Sequence, residues 1–261
     1  GGATTFLDMP LNASPPTVDG AAFDLKAAAA TETAVVDFAL WGGLVPGNVD
    51  RLDELAARGV VGFKAFMCPT GIDDFDAADD DTLHAGMARA ARLGLPVAVH
   101  AESAELTSRL AAQAVSEGRT TMRDYLGSRP VVAELEAIER AIAIARETGC
   151  SVHVVHVSTG RGVRLVGAAR EQGADVTCET CPHYLALDDE DALALGTLAK
   201  CSPPLRPRAE LDDLWDTLLE GIVDLVASDH SPSPPELKLG EDAFAAWGGI
   251  AGCQTLLRVL L

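Results

Sequence analysis

Basic residues are scarce in this 261-residue chain, which has 20 Lys and Arg against 39 Asp and Glu and a formal net charge of −19. An acidic excess of this size repels polyanions, so it argues against nucleic acid and anionic membranes as partners. The sequence also lacks an apolar run long enough to cross a bilayer and a charged-then-apolar leader. We therefore expect a cytoplasmic protein that does not enter the membrane.

Cysteine is sparse as well, and its six copies are scattered over Cys68, Cys150, Cys178, Cys181, Cys201 and Cys253. Such a scatter in a large domain does not match a disulfide framework. Cys178 and Cys181 form a C-x-x-C pair, but no second pair completes a zinc knuckle. We interpret them as packing residues near a strand end, with a redox or zinc role as the alternative.

Short β-branched runs alternate with alanine-rich stretches of helical period, a pattern typical of a parallel sheet with crossover helices. It predicts seven strands, at residues 4–9, 34–41, 60–67, 96–101, 151–157, 175–179 and 223–228. It predicts helices at residues 50–58, 80–93, 104–116, 131–148, 162–172, 211–220 and 244–261. Seven strands fit either an open doubly wound sheet or a (β/α)₈ barrel that lacks one strand.

The positions of four polar residues favour the barrel. Lys64, His100, His156 and Asp229 each lie in or just beyond the C-terminal part of a different apolar strand. A barrel collects its chemistry at that end from several strands, whereas an open sheet concentrates it at one switch point. We therefore predict that residues 1–261 form a single, incomplete (β/α)₈ TIM-type barrel domain, with the first strand missing before Gly1.

Side-chain alternation along a strand refines the histidine assignment. Ala98 and His100 share one face, and the same count predicts that His153 and His156 point to opposite sides. His156 lies nearer the strand end, so we predict that it faces the site. His153 is then a packed or supporting residue.

Two imidazoles, one carboxylate and one buried lysine suit Zn²⁺ or a similar divalent ion. Taken singly, each residue has a simpler explanation, such as a structural histidine or a loop cap. A cationic lysine would repel a metal, but burial lowers the pKa of a lysine, and the free amine can react with CO₂ to form a carbamate. We therefore interpret Lys64 as a carboxylated lysine able to bridge two metal ions.

Long stretches of the chain resemble the cyclic amidohydrolases, the group of dihydroorotase, dihydropyrimidinase or hydantoinase, and allantoinase. They are DMPLNASPPT, GFKAFM, VAVHAES, VVHVSTG, CETCPHYL, KCSPPLR, SDHSPSPP and WGGIAGCQTLL. Within the family, FKAFMCPTGIDDF, ASDHSPSPPELK and WGGIAGCQ look most like the allantoinase branch. Pro69 stands where hydantoinases carry a tyrosine, and MPLN stands where dihydroorotases read close to MPNT.

The resemblance implies metal-dependent hydrolysis of a cyclic amide, with allantoin to allantoate in purine (ureide) catabolism as the leading reaction. It implies two divalent ions, expected to be Zn²⁺, with Lys64 bridging, His100 and His156 at one position, and Asp229 as second-position ligand and general base. Ser202 resembles the substrate contact of the family. Asn12 either reaches the substrate ring or only forms a turn. Members are commonly homotetramers.

The family's first strand ends in His-x-His, and its small β-sandwich is built from both chain ends; this sequence contains neither. We therefore expect a piece of a longer protein. Two alternatives to allantoinase stay open. One is a hydantoinase, dihydropyrimidinase or dihydroorotase, and the other is a non-catalytic amidohydrolase-like assembly module.

Overall fold

A computed structural model describes residues 2–261 of the chain. Its strands are β1 Thr5–Asp8, β2 Asp37–Leu40, β3 Gly42–Gly43, β4 Phe63–Phe66, β5 Val97–His100, β6 Val152–Val154, β7 Val176–Thr180 and β8 Leu225–Val226. All pairings are parallel and follow the chain order, β1 with β2 and then β3 through β8. Trp41 N donates to Asp8 O, and Val61 N donates to Leu40 O, so the β2–β3 stretch joins the two sheets.

The helices lie in the connections between strands. They are α1 Gly20–Thr33, α2 Leu52–Ala57, α3 Asp80–Leu93, α4 Ala104–Ser116, α5 Met122–Ser128, α6 Val131–Thr148, α7 Gly160–Glu171, α8 Pro182–Ala186, α9 Asp189–Leu195, α10 Arg208–Leu219 and α11 Leu256–Leu260. Short 3₁₀ turns lie at Val49–Arg51, Gly196–Ala199 and Pro235–Leu237. This alternation confirms the predicted α/β class with a parallel sheet.

Alternation along β4 separates the core from the site. Phe63 and Ala65 are fully buried in the main apolar core, which lies between the sheet and the helices. Lys64 points to the opposite face, where Trp41, Ala98 and Val155 form a second, small apolar cluster. The polar residue is therefore placed on the inner face by the same periodicity that buries its neighbours.

Helix caps set the boundaries that the sequence predicted well. Asp79 begins α3 by accepting a hydrogen bond from Thr82 N at 2.9 Å, and α3 ends at Gly94, whose φ is 68°. Ser103 caps α4, and α6 ends at Gly149, whose φ is 69°. A polar N-cap and a left-handed glycine at the C-terminus are recognisable in sequence, and α3, α4 and α6 match their predicted ranges residue for residue.

The helix predicted at residues 244–261 is wrong over most of its length, because only Leu256–Leu260 is α-helical. Gly249 has a φ of 124°, and a Cβ atom there would lie 2.5 Å from Ser231 O. Its amide donates to Lys200 O at 2.8 Å. The residues before α11 are therefore an irregular loop that packs against the loops of Lys200 and Ser231.

Other differences are smaller. The strand predicted at residues 34–41 is interrupted at Trp41, and helices α1, α5, α8 and α9 were not predicted. Helix α1 is an alanine run with Asp19 as its N-cap, and it lacks the apolar stripe by which the other helices were recognised. Among residues 2–261, no helix combines the length and apolarity needed to span a membrane.

Candidate active site

The carboxyl ends of the strands open on a cavity of about 460 Å³. The six predicted site residues all line it: Asn12, Lys64, His100, His156, Ser202 and Asp229. They come from six separate parts of the chain, and the parallel sheet is what brings them together. The cavity is therefore the candidate active site, whatever role each residue has.

Lys64 lies on β4 and is only 3% exposed. Its Nζ donates to Ala65 O at 3.0 Å and lies 3.7 Å from the centroid of the Phe66 ring. Burial lowers the pKa of Lys64 to about 7, against the opposing attraction of Asp229. The lowered pKa favours the uncharged amine, which is the form that reacts with CO₂.

His100 and His156 meet directly. His100 ends β5, and its Nδ1 lies 3.0 Å from Nε2 of His156. Two nitrogens bound to one tetrahedral zinc at about 2.0–2.1 Å would lie about 3.4 Å apart, close to this separation. Nδ1 of His156 is buried without a hydrogen-bond partner. The donor set therefore fits a divalent cation.

The prediction that His153 and His156 point to opposite sides is wrong. Strand pairing aligns Lys64 with Ala98 and Ala98 with His153, so His153 shares the inner face. Strand β6 ends at Val154, and His156 has a φ of 42°, so the alternation does not extend to it. His153 lies away from the cavity wall and contacts Thr177 Oγ1 at 2.8 Å and Glu179 Oε2 at 3.2 Å.

Asp229 follows β8 with a φ of 39°, which turns its side chain to the cavity. Burial raises the pKa of Asp229, and the neighbouring carboxylate of Glu179 raises it further. A carboxylate with a raised pKa is suited to accept and return a proton. Glu179 also lines the cavity, although the sequence analysis did not select it.

Two residues that the sequence analysis did not select, Glu102 and Arg129, form a chain of contacts with His100. Nε2 of His100 lies 2.7 Å from Oε2 of Glu102, and Arg129 donates through Nη1 to the same oxygen. Burial by itself would raise the pKa of Glu102, but Arg129 and the hydrogen bond with His100 lower it to about 2. Glu102 was visible in VAVHAES, two residues after His100, whereas Arg129 lies in no recognised motif.

Two further groups of potential metal-ligating side chains each include one predicted site residue. Within residues 2–261, two groups of three side chains have ligand atoms within 4.8 Å of one another. They are Cys68 with His100 and Glu102, and Cys181 with His183 and Asp229. The six cysteines are free, and both Cys178, in the middle of β7, and Cys181, just after it, are fully buried.

Ser202 and Asn12 both line the cavity. Oγ of Ser202 lies 2.6 Å from the Tyr125 hydroxyl, which also donates to Cys201 O at 3.1 Å. Burial raises the pKa of Tyr125 to about 12, so its hydroxyl keeps its proton. Asn12 has a φ of 59°, a conformation in which asparagine is enriched in turns. Both roles predicted for Asn12 fit this position.

Comparisons with known proteins agree over the whole chain. An allantoinase of Rubrobacter xylanophilus is 67% identical and one of Solibacter usitatus is 60% identical, each over 261 residues. These alignments cover 100% of this chain and 58% and 57% of the relatives. The solved L-hydantoinase (dihydropyrimidinase) of Arthrobacter aurescens superposes with a TM-score of 0.96 at 37% identity, covering 100% of this chain and 58% of that one. No protein-family model matches the chain.

Over its whole length the chain is similar to cyclic amidohydrolases. The predicted resemblance to the allantoinase branch is confirmed by relatives that carry that name. The chain spans less than three fifths of the length of these cyclic amidohydrolases, at 58% of the first of them. The fold of this chain, with its parallel sheet, resembles the superposed part of that hydantoinase.

Proposed function

We propose that this chain is the catalytic part of a metal-dependent enzyme that hydrolyses allantoin to allantoate. The observation that carries the proposal is the convergence of Lys64, His100, His156 and Asp229 on one cavity. Similarity to relatives named allantoinase along the whole chain supports the choice of substrate. An assembly module would have no need of a buried lysine beside two facing imidazoles.

The site would hold two divalent ions, and its nitrogen and oxygen donors suit zinc. Carboxylated Lys64, His100 and His156 would hold one, and Lys64 and Asp229 would contribute to the other. When bound, such ions lower the pKa of water and polarise a carbonyl group. The low pKa of Lys64 supports carboxylation, because the amine must be uncharged to attack CO₂.

Asp229 is the proposed general base. It accepts a proton from the attacking water as the new C–O bond forms at the ring amide carbon. It then delivers that proton to the ring nitrogen as the C–N bond breaks, so water is consumed and the ring opens to a ureide acid. The raised pKa of Asp229 suits both transfers.

Ser202 and Asn12 are the proposed substrate contacts. Ser202 is fixed by Tyr125, so its hydroxyl and neighbouring backbone groups present a rigid edge to the substrate ring. Pro69, which also lines the cavity, has no hydroxyl to offer to the scissile carbonyl. This absence favours allantoinase over the hydantoinases.

We further propose that the described strands are seven of the eight strands of a closed barrel, counting the β2–β3 stretch as one. The parallel, in-order pairing and the superposition on a hydantoinase support this. Residues 1–261 would form a single domain, completed by a strand from elsewhere in the protein. By the family resemblance we propose a cytoplasmic homotetramer that serves purine (ureide) catabolism.

A substrate panel tests the proposal. The full-length protein should hydrolyse allantoin faster than hydantoin, dihydrouracil or dihydroorotate. A hydantoinase is the second candidate, because the superposed structure carries that name. If dihydrouracil were the best substrate, the allantoinase assignment would be wrong and the family would stand.

A further inference from the structure

A row of charged side chains runs from His100 through buried Glu102 to Arg129, which itself lines the cavity. Nε2 of His100 lies 2.7 Å from Oε2 of Glu102, which is 0% exposed. Arg129 donates through Nη1 to the same carboxylate oxygen. The opposite ring nitrogen of His100, Nδ1, is the one that faces His156.

Both ends of this row are anchored. Arg206 donates through Nη1 to Arg129 O at 2.5 Å and through Nε to Ser158 Oγ at 2.9 Å. Ser103 N, next to Glu102, donates to Ala133 O at 2.8 Å. Glu102, in the turn after β5, is therefore tied to the loop before α6 through Arg129, and its neighbour Ser103 is tied to α6.

His156 offers an internal contrast. Its Nδ1 is buried and has no hydrogen-bond partner among residues 2–261. Its direction is set by its left-handed backbone, with a φ of 42°. The direction and tautomer of His100, by contrast, can be set by a hydrogen bond to a carboxylate.

We propose that Glu102, backed by Arg129, is a positioning residue that holds His100 with Nε2 protonated and Nδ1 directed at the metal position. A carboxylate only accepts hydrogen bonds, so it selects the Nε2–H tautomer and leaves the Nδ1 lone pair for a cation. The inference rests on the proposed function in that His100 is taken as a metal ligand. Loss of such a partner typically weakens metal affinity about 10–100-fold.

The test uses the full-length protein with Co²⁺ as the probe metal. Affinity is measured by competition with a chromogenic chelator, and the ligand field is read from the visible absorption of bound Co²⁺. The variant is Glu102→Gln. The matched control is Asp188→Asn, because Asp188 is another buried carboxylate paired with an arginine, and its side-chain bonds go to Arg208 and Asp191 N, outside this row.

Glu102→Gln leaves Arg129 buried without its counter-charge, which can prevent folding. The double variant Glu102→Gln/Arg129→Gln removes both charges together and keeps the inference testable. We expect the single and the double variant to bind Co²⁺ about 10–100-fold more weakly with a shifted spectrum. We expect Asp188→Asn to keep the affinity and spectrum of the unmodified protein.

Unchanged Co²⁺ affinity and spectrum in the double variant would overturn the inference, as would an equal loss in Asp188→Asn. The outcome is separable from the proposed function. If the unmodified protein did not hydrolyse allantoin but Glu102→Gln still weakened Co²⁺ binding, the role of Glu102 would stand and the proposed substrate would be wrong. If the unmodified protein hydrolysed allantoin but the Glu102 variants bound Co²⁺ unchanged, the proposed function would stand and the role of Glu102 would be wrong.

Discussion

The centre of the sheet and its two outer strands are built very differently. Strand β5 is buried at every position, and β4 and β6 are mostly buried. Strand β1 is exposed at its first three positions, and Leu225 on β8 is 47% exposed. Lys64, His100 and His156 belong to the packed centre, whereas Asp229 follows an outer strand. One half of the candidate site thus has rigid support within these residues, and the other half has less.

Lys64→Ala attacks the packed centre and should have the largest effect. Without the carbamate, His100 and His156 are two neutral ligands, fewer than the three protein ligands usual at a catalytic zinc. We expect loss of metal at this position and of turnover, with partial rescue by added short carboxylates. Metal analysis and an allantoin assay of the full-length protein measure both. Full activity and metal content in Lys64→Arg would refute the carbamate.

Asp229→Asn attacks the outer half. We expect turnover to fall by about 10²–10⁴-fold through loss of the general base. The position formed by Lys64, His100 and His156 should keep its metal, because none of these residues depends on Asp229 for its packing. The readouts are turnover and metal content on the same sample. Unchanged turnover would exclude Asp229 as the base.

Two phenylalanines on strands provide a matched pair for stability. Phe63 on β4 is 0% exposed, whereas Phe6 on β1 is 37% exposed. We expect Phe63→Ala to lower the free energy of unfolding by about 3–5 kcal/mol and Phe6→Ala by about 1 kcal/mol in a protein limited to residues 1–261. Denaturant unfolding gives both values. Equal decreases in the free energy of unfolding would mean that the outer strand contributes as much to stability as the central one.

Removal of CO₂ should have the smallest and most reversible effect. Metal-free protein kept in CO₂-free buffer should recover activity slowly when Zn²⁺ alone is returned, because Lys64 must first be carboxylated. Added bicarbonate should speed recovery severalfold. Recovery that ignores bicarbonate would argue against a carbamate, and a parallel sample never depleted of metal controls for damage.

The centre of the fold was the more predictable part. Its strands are short, mostly buried apolar runs, and α3, α4 and α6 carry caps or stop signals such as Asp79, Ser103 and Gly149. Helix α1 has high helix propensity but no apolar period, so a periodicity argument does not detect it. Residues 244–255 are not the predicted helix, and the close approach of Gly249 to Ser231 and of Gly252 to Ser228 is a contact between loops that a local pattern does not reveal.

The site was predictable where a residue ends a strand and unpredictable where it does not. Lys64, His100 and Asp229 follow from strand position alone. Arg129 reaches Glu102 across 27 residues from the end of α5, a helix that was not predicted. Tyr125 reaches Ser202 across 77 residues. No local pattern encodes such contacts, and His156 escapes strand alternation because its backbone is left-handed.

The most direct test of the packed centre as a complete metal position is to look for the carbamate itself. The full-length protein would be produced with isotopically labelled bicarbonate, loaded with Zn²⁺, and examined by carbon NMR and native mass spectrometry. We predict one carbamate signal and the added mass of one CO₂ per chain, both absent from Lys64→Ala. Metal-loaded, active protein with no carbamate on Lys64 would contradict the assignment.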